Sequence, residues 1–202
     1  MEKKQELTGI TKIIMEEARC LINQDNYEEV LTKLQSCLQD ESKLNSGWFI
    51  LNELGYCYLR LGWFKEAVEA FDQYLKDNPS DADARFFRAS AYASLQWTDE
   101  AIKELRIILD SDSTDVLARH ELALCYRDKG WIKEALIEMK KANDSAKIYG
   151  NPEEQRIVAS SLMHLEDETD NENDRLNAAL LIFIILLMKM KLKIKVTKSH
   201  FK

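Results

Sequence analysis

From residue 8 onward, apolar side chains recur three and four positions apart, and short polar breaks interrupt them at regular intervals. Ile10, Ile13, Ile14, Ala18, Leu21 and Ile22 form one such run, and the polar stretch from Asn23 to Asn26 ends it. Tyr27-Glu28-Glu29 opens the next, which carries Val30, Leu31, Leu34, Cys37 and Leu38. The pattern predicts paired helices over 11–44. After the additional residues Asn45-Ser46-Gly47 it predicts a clearer pair from about Trp48 to Leu61 and from about Phe64 to Lys76. Asn78-Pro79-Ser80-Asp81 closes that unit, because proline cannot continue a helix and holds its predecessor extended. Units over 82–115 and 116–149 follow without insertion, with helix caps expected from Asp81 and from Ser113-Thr114-Asp115.

The units are copies. Leu61-Gly62-Trp63-Phe64-Lys65-Glu66-Ala67 returns as Leu95-Gln96-Trp97-Thr98-Asp99-Glu100-Ala101 and as Lys129-Gly130-Trp131-Ile132-Lys133-Glu134-Ala135, 34 residues apart each time. A fixed period of this length marks a solenoid, whose repeats bury their apolar faces only against one another. Gly55, Ala89 and Ala123 share a register, as do Ala67, Ala101 and Ala135, and minimal side chains at facing sites let two antiparallel helices approach closely. Tyr58, Tyr92 and Tyr126 recur in phase, as do Phe71, Leu105 and Met139, and Val68, Ile102 and Leu136; these supply the filling. Trp63, Trp97 and Trp131 fall at the turns. They read either as spacers leaning on neighbouring hairpins or as an aromatic ladder for a partner, and equal spacing favours spacers.

Beyond the third unit, Asn151 is placed to cap a helix that begins at Pro152, with Glu153 and Glu154 in its first turn. Ile157, Val158, Ser161, Leu162 and Leu165 give that helix one narrow apolar face, which suits a terminal cap over 152–165. The acidic run 166–175 reads as a solvated linker. The tail 176–202 holds eleven uninterrupted apolar residues, Ala178–Met188, and then alternates lysine with apolar residues from Lys189 to Val196, as a strand or an amphipathic extension would. Eleven residues are too few to cross a bilayer as a helix, for which about 17–25 are needed. The tail is open to three readings: a packed or self-associating element, a short basic-flanked membrane anchor over 176–196, or a segment outside the functional fold.

Composition agrees with an all-α chain. Only six Gly and two Pro occur in 202 residues, while 46% are apolar. The net charge of −7 divides unequally, with +7 in residues 175–202 and −14 in the rest. An acidic body is a poor match for nucleic acid, which is therefore not expected as a partner. Cys20, Cys37, Cys57 and Cys125 form no Cys-x-x-Cys motif and read as buried thiols rather than metal or redox groups. The charged start Met1–Leu7 resembles no secretory signal, so a reduced, cytoplasmic setting is expected, or the cytoplasmic face of a membrane if the tail anchors.

Leu54-Gly55, Tyr58, Gly62, Ala67, Phe71 and Pro79 together resemble the tetratricopeptide repeat. The resemblance covers about 11–149, with a weak repeat over 11–44 and good repeats over 48–81, 82–115 and 116–149. Departures are mild: Ala89 and Ala123 where the pattern has Gly, Arg88 for Leu, and Ser113 and Lys147 for Pro. It implies an all-α helical-hairpin solenoid, wound as a right-handed superhelix, within a domain of residues 1–165. The first helix of each hairpin would line a concave groove. On this chain the groove would present Phe49, Asn52, Tyr56, Phe86, Ser90, His120, Leu124 and Arg127 to a peptide or helix of a protein partner.

Some relatives grip acidic chaperone C-termini with a Lys–Asn–Arg clamp. The matching positions here are Asn52, Tyr56, Phe87, Leu117 and Glu121, or, one repeat earlier, Met15, Arg19, Glu53, Asp83 and Phe87. Arg19 is the only cation in either set, so tight binding of such a peptide is not expected. His120, His164 and His200 are scattered, and neither a Gly-rich phosphate loop nor a Gly-x-Ser-x-Gly motif occurs. No enzyme activity, cofactor or metal is expected. The sequence reads as an interaction scaffold or adaptor, with a tail-anchored assembly factor and a self-associating repeat protein as the alternatives.

Overall fold

A computed structural model describes residues 16–18, 21–22, 24–39 and 47–199, with side chains described as far as Phe183. Helices α1 (Tyr27–Gln39), α2 (Gly47–Arg60), α3 (Phe64–Asp77), α4 (Ala82–Ser94), α5 (Thr98–Ser111), α6 (Val116–Asp128), α7 (Ile132–Tyr149) and α8 (Pro152–Ser199) follow one another, and each packs on its sequence neighbour. Among the described residues there is no strand. The α2–α3, α4–α5 and α6–α7 hairpins occupy the three units of 34 residues, and the limits of α2 and α3 fall within a residue of those expected.

The hairpin turns share one geometry. Gly62, Gln96 and Gly130 carry positive φ angles of 78°, 62° and 74°, and Asp25 does the same at 57° in the turn before α1. At each turn the tryptophan N–H folds back to the carbonyl of the in-phase tyrosine, from Trp63 to Tyr58 at 2.8 Å and from Trp97 and Trp131 to Tyr92 and Tyr126 at 2.9 Å. Between hairpins, Asp81 and Asp115 cap α4 and α6 by accepting from the Ala84 and Ala118 amides at 2.9 Å, as expected. Tyr74 Oη donates to the second Asp81 oxygen at 2.6 Å, which pins the cap to the preceding helix.

The weak first unit is a helix–turn–helix as well. Ala18, Val30 and Leu34 are fully buried with Ile50, Leu54 and Cys57 of α2. Val30, Leu34 and Gln35 stand 37 residues before Ala67, Phe71 and Asp72, which is one period plus the three additional residues between the units. The core is a chain of clusters along the stack: one from Ala18 to Cys57, one from Ala67 to Ala91, and one from Ala89 to Leu165.

Residue volumes are matched across each hairpin. A Cβ added to Gly55 would meet the Phe71 ring at 2.8 Å. Where alanine replaces this glycine, at Ala89 and Ala123, the residue sixteen positions on is Leu105 or Met139 instead of Phe. All four of these side chains are almost completely buried.

The last helix differs from its expected form. Asn151 is the N-cap: its Oδ1 accepts from the Glu153 and Glu154 amides at 3.0 Å, and Glu154 reaches back to the Asn151 N–H at 3.2 Å, a reciprocal capping box. The helix does not stop at 165. Its backbone stays helical through the acidic run 166–175 and through the alternating stretch, which takes neither a linker nor a strand conformation. Asp, Glu and Asn are only weakly unfavourable in a helix interior, and no Gly or Pro interrupts the run.

Candidate functional site

The first helices α2, α4 and α6 carry the expected groove positions. Asn52, Phe86 and His120 are 34 residues apart, as are Tyr56, Ser90 and Leu124, so the solenoid sets them in two rows across three helices. Asn52, Tyr56, Phe86, Ser90 and Leu124 are half-buried, and Arg127 is exposed with its guanidinium 3.1 Å from Asp128. Ser90 Oγ donates to the Phe86 carbonyl at 3.1 Å, which turns its hydroxyl proton toward its own helix. The Phe49 side chain lies outside the described residues, as do Met15 and Arg19 of the alternative clamp set.

Tyr56 is the centre of an aromatic group that crosses hairpins. Its ring meets Phe87 edge-on at 5.2 Å and Tyr27 at 6.4 Å, and Phe87 lies 5.9 Å from Phe86. Arg60 donates to Tyr56 Oη at 3.0 Å and lies 5.0 Å above the Tyr27 ring, with Asp25 at 3.5 Å as counter-ion. Asn52 Oδ1 is buried and has no hydrogen-bonding partner.

His120 is not an open groove residue. Its ring is 7% exposed and sits at the junction of α6 with α8, where Nε2 lies 2.9 Å from Ser161 Oγ. Burial, and then the nearby Arg127 charge, push the imidazole below its ordinary pKa, which favours the neutral ring. Burial pushes the adjacent Glu121 carboxyl up, and Asp128 adds to that shift. The cap helix covers His120, with Ser161 against its ring. Leu117 is 40% exposed and stands seven residues before Leu124 on the same helix face; the groove list omitted it.

Each tryptophan ring packs on the in-phase tyrosine of its own hairpin. The Trp63 ring stacks on Tyr58 at 5.8 Å, Trp97 lies against Tyr92 at 5.9 Å and Trp131 against Tyr126 at 5.7 Å. The rings remain 44–49% exposed. Trp63 borders an open depression of about 420 Å³ that Leu95 of the next hairpin closes on one side. Lys129 lies 4.7 Å over the Trp131 ring and pairs with Asp99 of the preceding turn.

A polar device escaped the sequence reading. Arg85 donates to the Pro79 carbonyl at 2.6 Å and to Glu104 at 2.8 Å, and one period later Arg119 donates to the Ser113 carbonyl at 2.5 Å and to Glu138 at 2.6 Å. Arg88 joins the first set, 2.7 Å from Glu104 and 2.5 Å from Asp72. Arg85 and Arg119 each fasten the preceding inter-repeat loop to the second helix of their own hairpin, while Arg88 ties α5 to α3. The in-phase spacing of Arg85 with Arg119, and of Glu104 with Glu138, was the signal available in the sequence.

Cys57 and Cys125 are free, buried thiols, pushed up to about 12 by burial, which leaves them un-ionised near neutrality. Among the described residues no group of three His, Cys, Asp or Glu side chains could hold a metal ion, and no helix is long and apolar enough to cross a membrane.

Stacked helix pairs with small-residue contacts, left-handed turns and aspartate-capped first helices define a helical-hairpin solenoid. Residues 52–116 match the family model for the tetratricopeptide repeat. That stretch carries tetratricopeptide repeats. Among solved structures, the chain is similar to MamA (residues 41 to the end) from Desulfovibrio magneticus RS-1, with 20% identity and a TM-score of 0.62 over 82% of this chain and 99% of that one. It is also similar to a tetratricopeptide repeat protein from Parabacteroides merdae, with 17% identity and a TM-score of 0.62 over 79% of this chain and 61% of that one. The Sgt2 TPR domain from Aspergillus fumigatus matches at 18% identity and a TM-score of 0.56, over 64% of this chain and 83% of that one. At these identities the likeness is one of fold. No curated protein matches the chain in sequence.

Proposed function

We propose that the protein is a non-enzymatic scaffold that holds a peptide or helical segment of a partner protein along α2, α4 and α6. The observation that carries this reading is the pair of rows on those helices. Their positions recur every 34 residues, but their side chains change from Asn52 to Phe86 and from Tyr56 to Ser90 to Leu124. A residue kept for packing repeats with the fold, as Ala67, Ala101 and Ala135 do; a residue that reads a partner is free to differ from repeat to repeat. Half-buried aromatic and apolar side chains beside amide and hydroxyl groups suit a segment that offers both apolar anchors and backbone hydrogen bonds.

A photo-reactive side chain placed at Arg127 should cross-link a discrete partner segment, whereas one at Glu69, exposed on a second helix, should not. Replacing Tyr56 and Phe86 with Ala should abolish recovery of that partner while helical circular dichroism is retained. Equal recovery from the two positions, or from the double variant, rules the groove out.

A further inference from the structure

The stack uses only the beginning of α8. Val158 and Leu165 are buried on the third hairpin, Lys140 pairs with Glu166 at 3.1 Å, and Thr169 is half-buried. Every described side chain from Asp170 to Phe183 is then exposed, including Leu176 at 61%, Leu180 at 57%, Leu181 and Ile182 at 59% and Phe183 at 58%. The backbone remains helical to Ser199, so roughly 50 Å of helix extends past the last core contact, at about 1.5 Å per residue. An exposed apolar turn of this kind calls for an occupant.

Charge along the same helix identifies it. Six acids stand between Glu166 and Asp174, and Lys189, Lys191, Lys193 and Lys195 stand an equal distance beyond Leu181 on the other side. We propose that this projecting part of α8 pairs antiparallel with α8 of a second copy, centred near Leu181, so that apolar run meets apolar run. In that register position 170 lies opposite 192 and position 174 opposite 188. The acidic segment of each chain therefore runs beside the lysine segment of the other, at both ends of the pair. A parallel pair would set six acids against six acids and lysines against lysines. A bilayer would take up the apolar run but leave the acidic segment without counter-charge. The two solenoids sit at opposite ends of the paired region, because neither packs on α8 beyond residue 169. This pairing involves α8 alone and stands or falls independently of the groove.

Analytical ultracentrifugation of the full chain should show a reversible monomer–dimer equilibrium that weakens as salt is raised. Changing Lys189, Lys191, Lys193 and Lys195 to Glu should raise the dimer Kd about a hundredfold, since eight exposed pairs, four at each end of the antiparallel dimer, are lost together. Adding Asp167, Asp170, Glu172 and Asp174→Lys to the same chain should restore association, while the thermal transition of the solenoid stays in place. A photo-reactive side chain at Asp170 should cross-link to residues near 192 of the other copy. A monomer at all concentrations, unchanged association in the lysine variant, or cross-links back to position 170 overturns the proposal. So does a chain that stays monomeric in solution yet sediments with phospholipid vesicles, which would assign α8 to a lipid surface.

Discussion

In the hairpin 48–81, Leu51 and Ala70 hold the positions that Arg85 and Glu104 hold in the next hairpin, and Arg119 and Glu138 in the one after. The same hairpin pairs Gly55 with Phe71, where its successors pair alanine with Leu105 and Met139. One backbone is thus closed in two ways: by an apolar contact with a large ring over a glycine, or by an ion pair that also ties down the preceding loop. The ion pairs are 13–18% exposed, so much of their charge has left water and each partner depends on the other. The difference teaches that each side chain is chosen against its opposite number in the same hairpin, and that the repeat average describes neither solution.

Breaking one ion pair is the largest expected effect. Glu138→Ala leaves Arg119 without its carboxylate and should cost about 3 kcal/mol in chemical denaturation. Adding Arg119→Leu installs the Leu/Ala combination of the hairpin 48–81 and should recover most of that loss. If the double variant stays as weak as the single, the two closures are not interchangeable.

The converse exchange is smaller. Gly55→Ala drives a methyl into the Phe71 ring and should cost about 2 kcal/mol. Phe71→Leu in the same chain creates the Ala/Leu pair of the hairpin 82–115, so the two costs should fall short of additive. A fully additive double variant would refute the size-matching argument.

A third contrast concerns the turns, where Gln96 holds a positive φ that Gly62 and Gly130 adopt without strain. Gln96→Gly should stabilise by about 0.5 kcal/mol, the relief of a left-handed backbone partly offset by glycine's entropy. The thermal midpoint measures it, and a decrease would show that the Gln96 side chain contributes more than its backbone strain costs.

The smallest effect separates the terminal repeat from the internal ones, because the cap helix covers His120. Its pKa is lowered on folding, so the unfolded chain takes up the proton first as pH falls. Its contribution is complete above the ordinary histidine value of 6.5 and declines from there down to the lowered value. The neighbouring Glu121, whose pKa is raised, acts in the opposite sense near the carboxylate range. Comparing the full chain with His120→Gln should therefore show a stability difference that shrinks as pH falls through the histidine range. A constant difference across that range would deny the histidine any titrating role.

Much of the solenoid was legible before any coordinates. The 34-residue period, the small-residue sites, the capping aspartates and the Asn151 start are local or strictly repeated features, and each declares itself along one chain. The proposed groove was legible only as register. How far its members are exposed depends also on the helix that packs at the end, which buries His120 against Ser161.

By itself, the amino-acid sequence determined the hairpins, their number of good copies and their order, because helical periodicity and turn chemistry act over a few residues and the period repeats them. The tertiary structure alone decided three things. The tryptophans face the tyrosines of their own hairpins, since the fold-back at each turn brings those rings together. Arginine and glutamate nineteen residues apart close on one another, since antiparallel packing places them side by side. The acidic run continues a helix beyond the stack, since nothing in it breaks the backbone. Each depends on groups distant along the chain or on the absence of a competing conformation, and neither of these is written in local pattern.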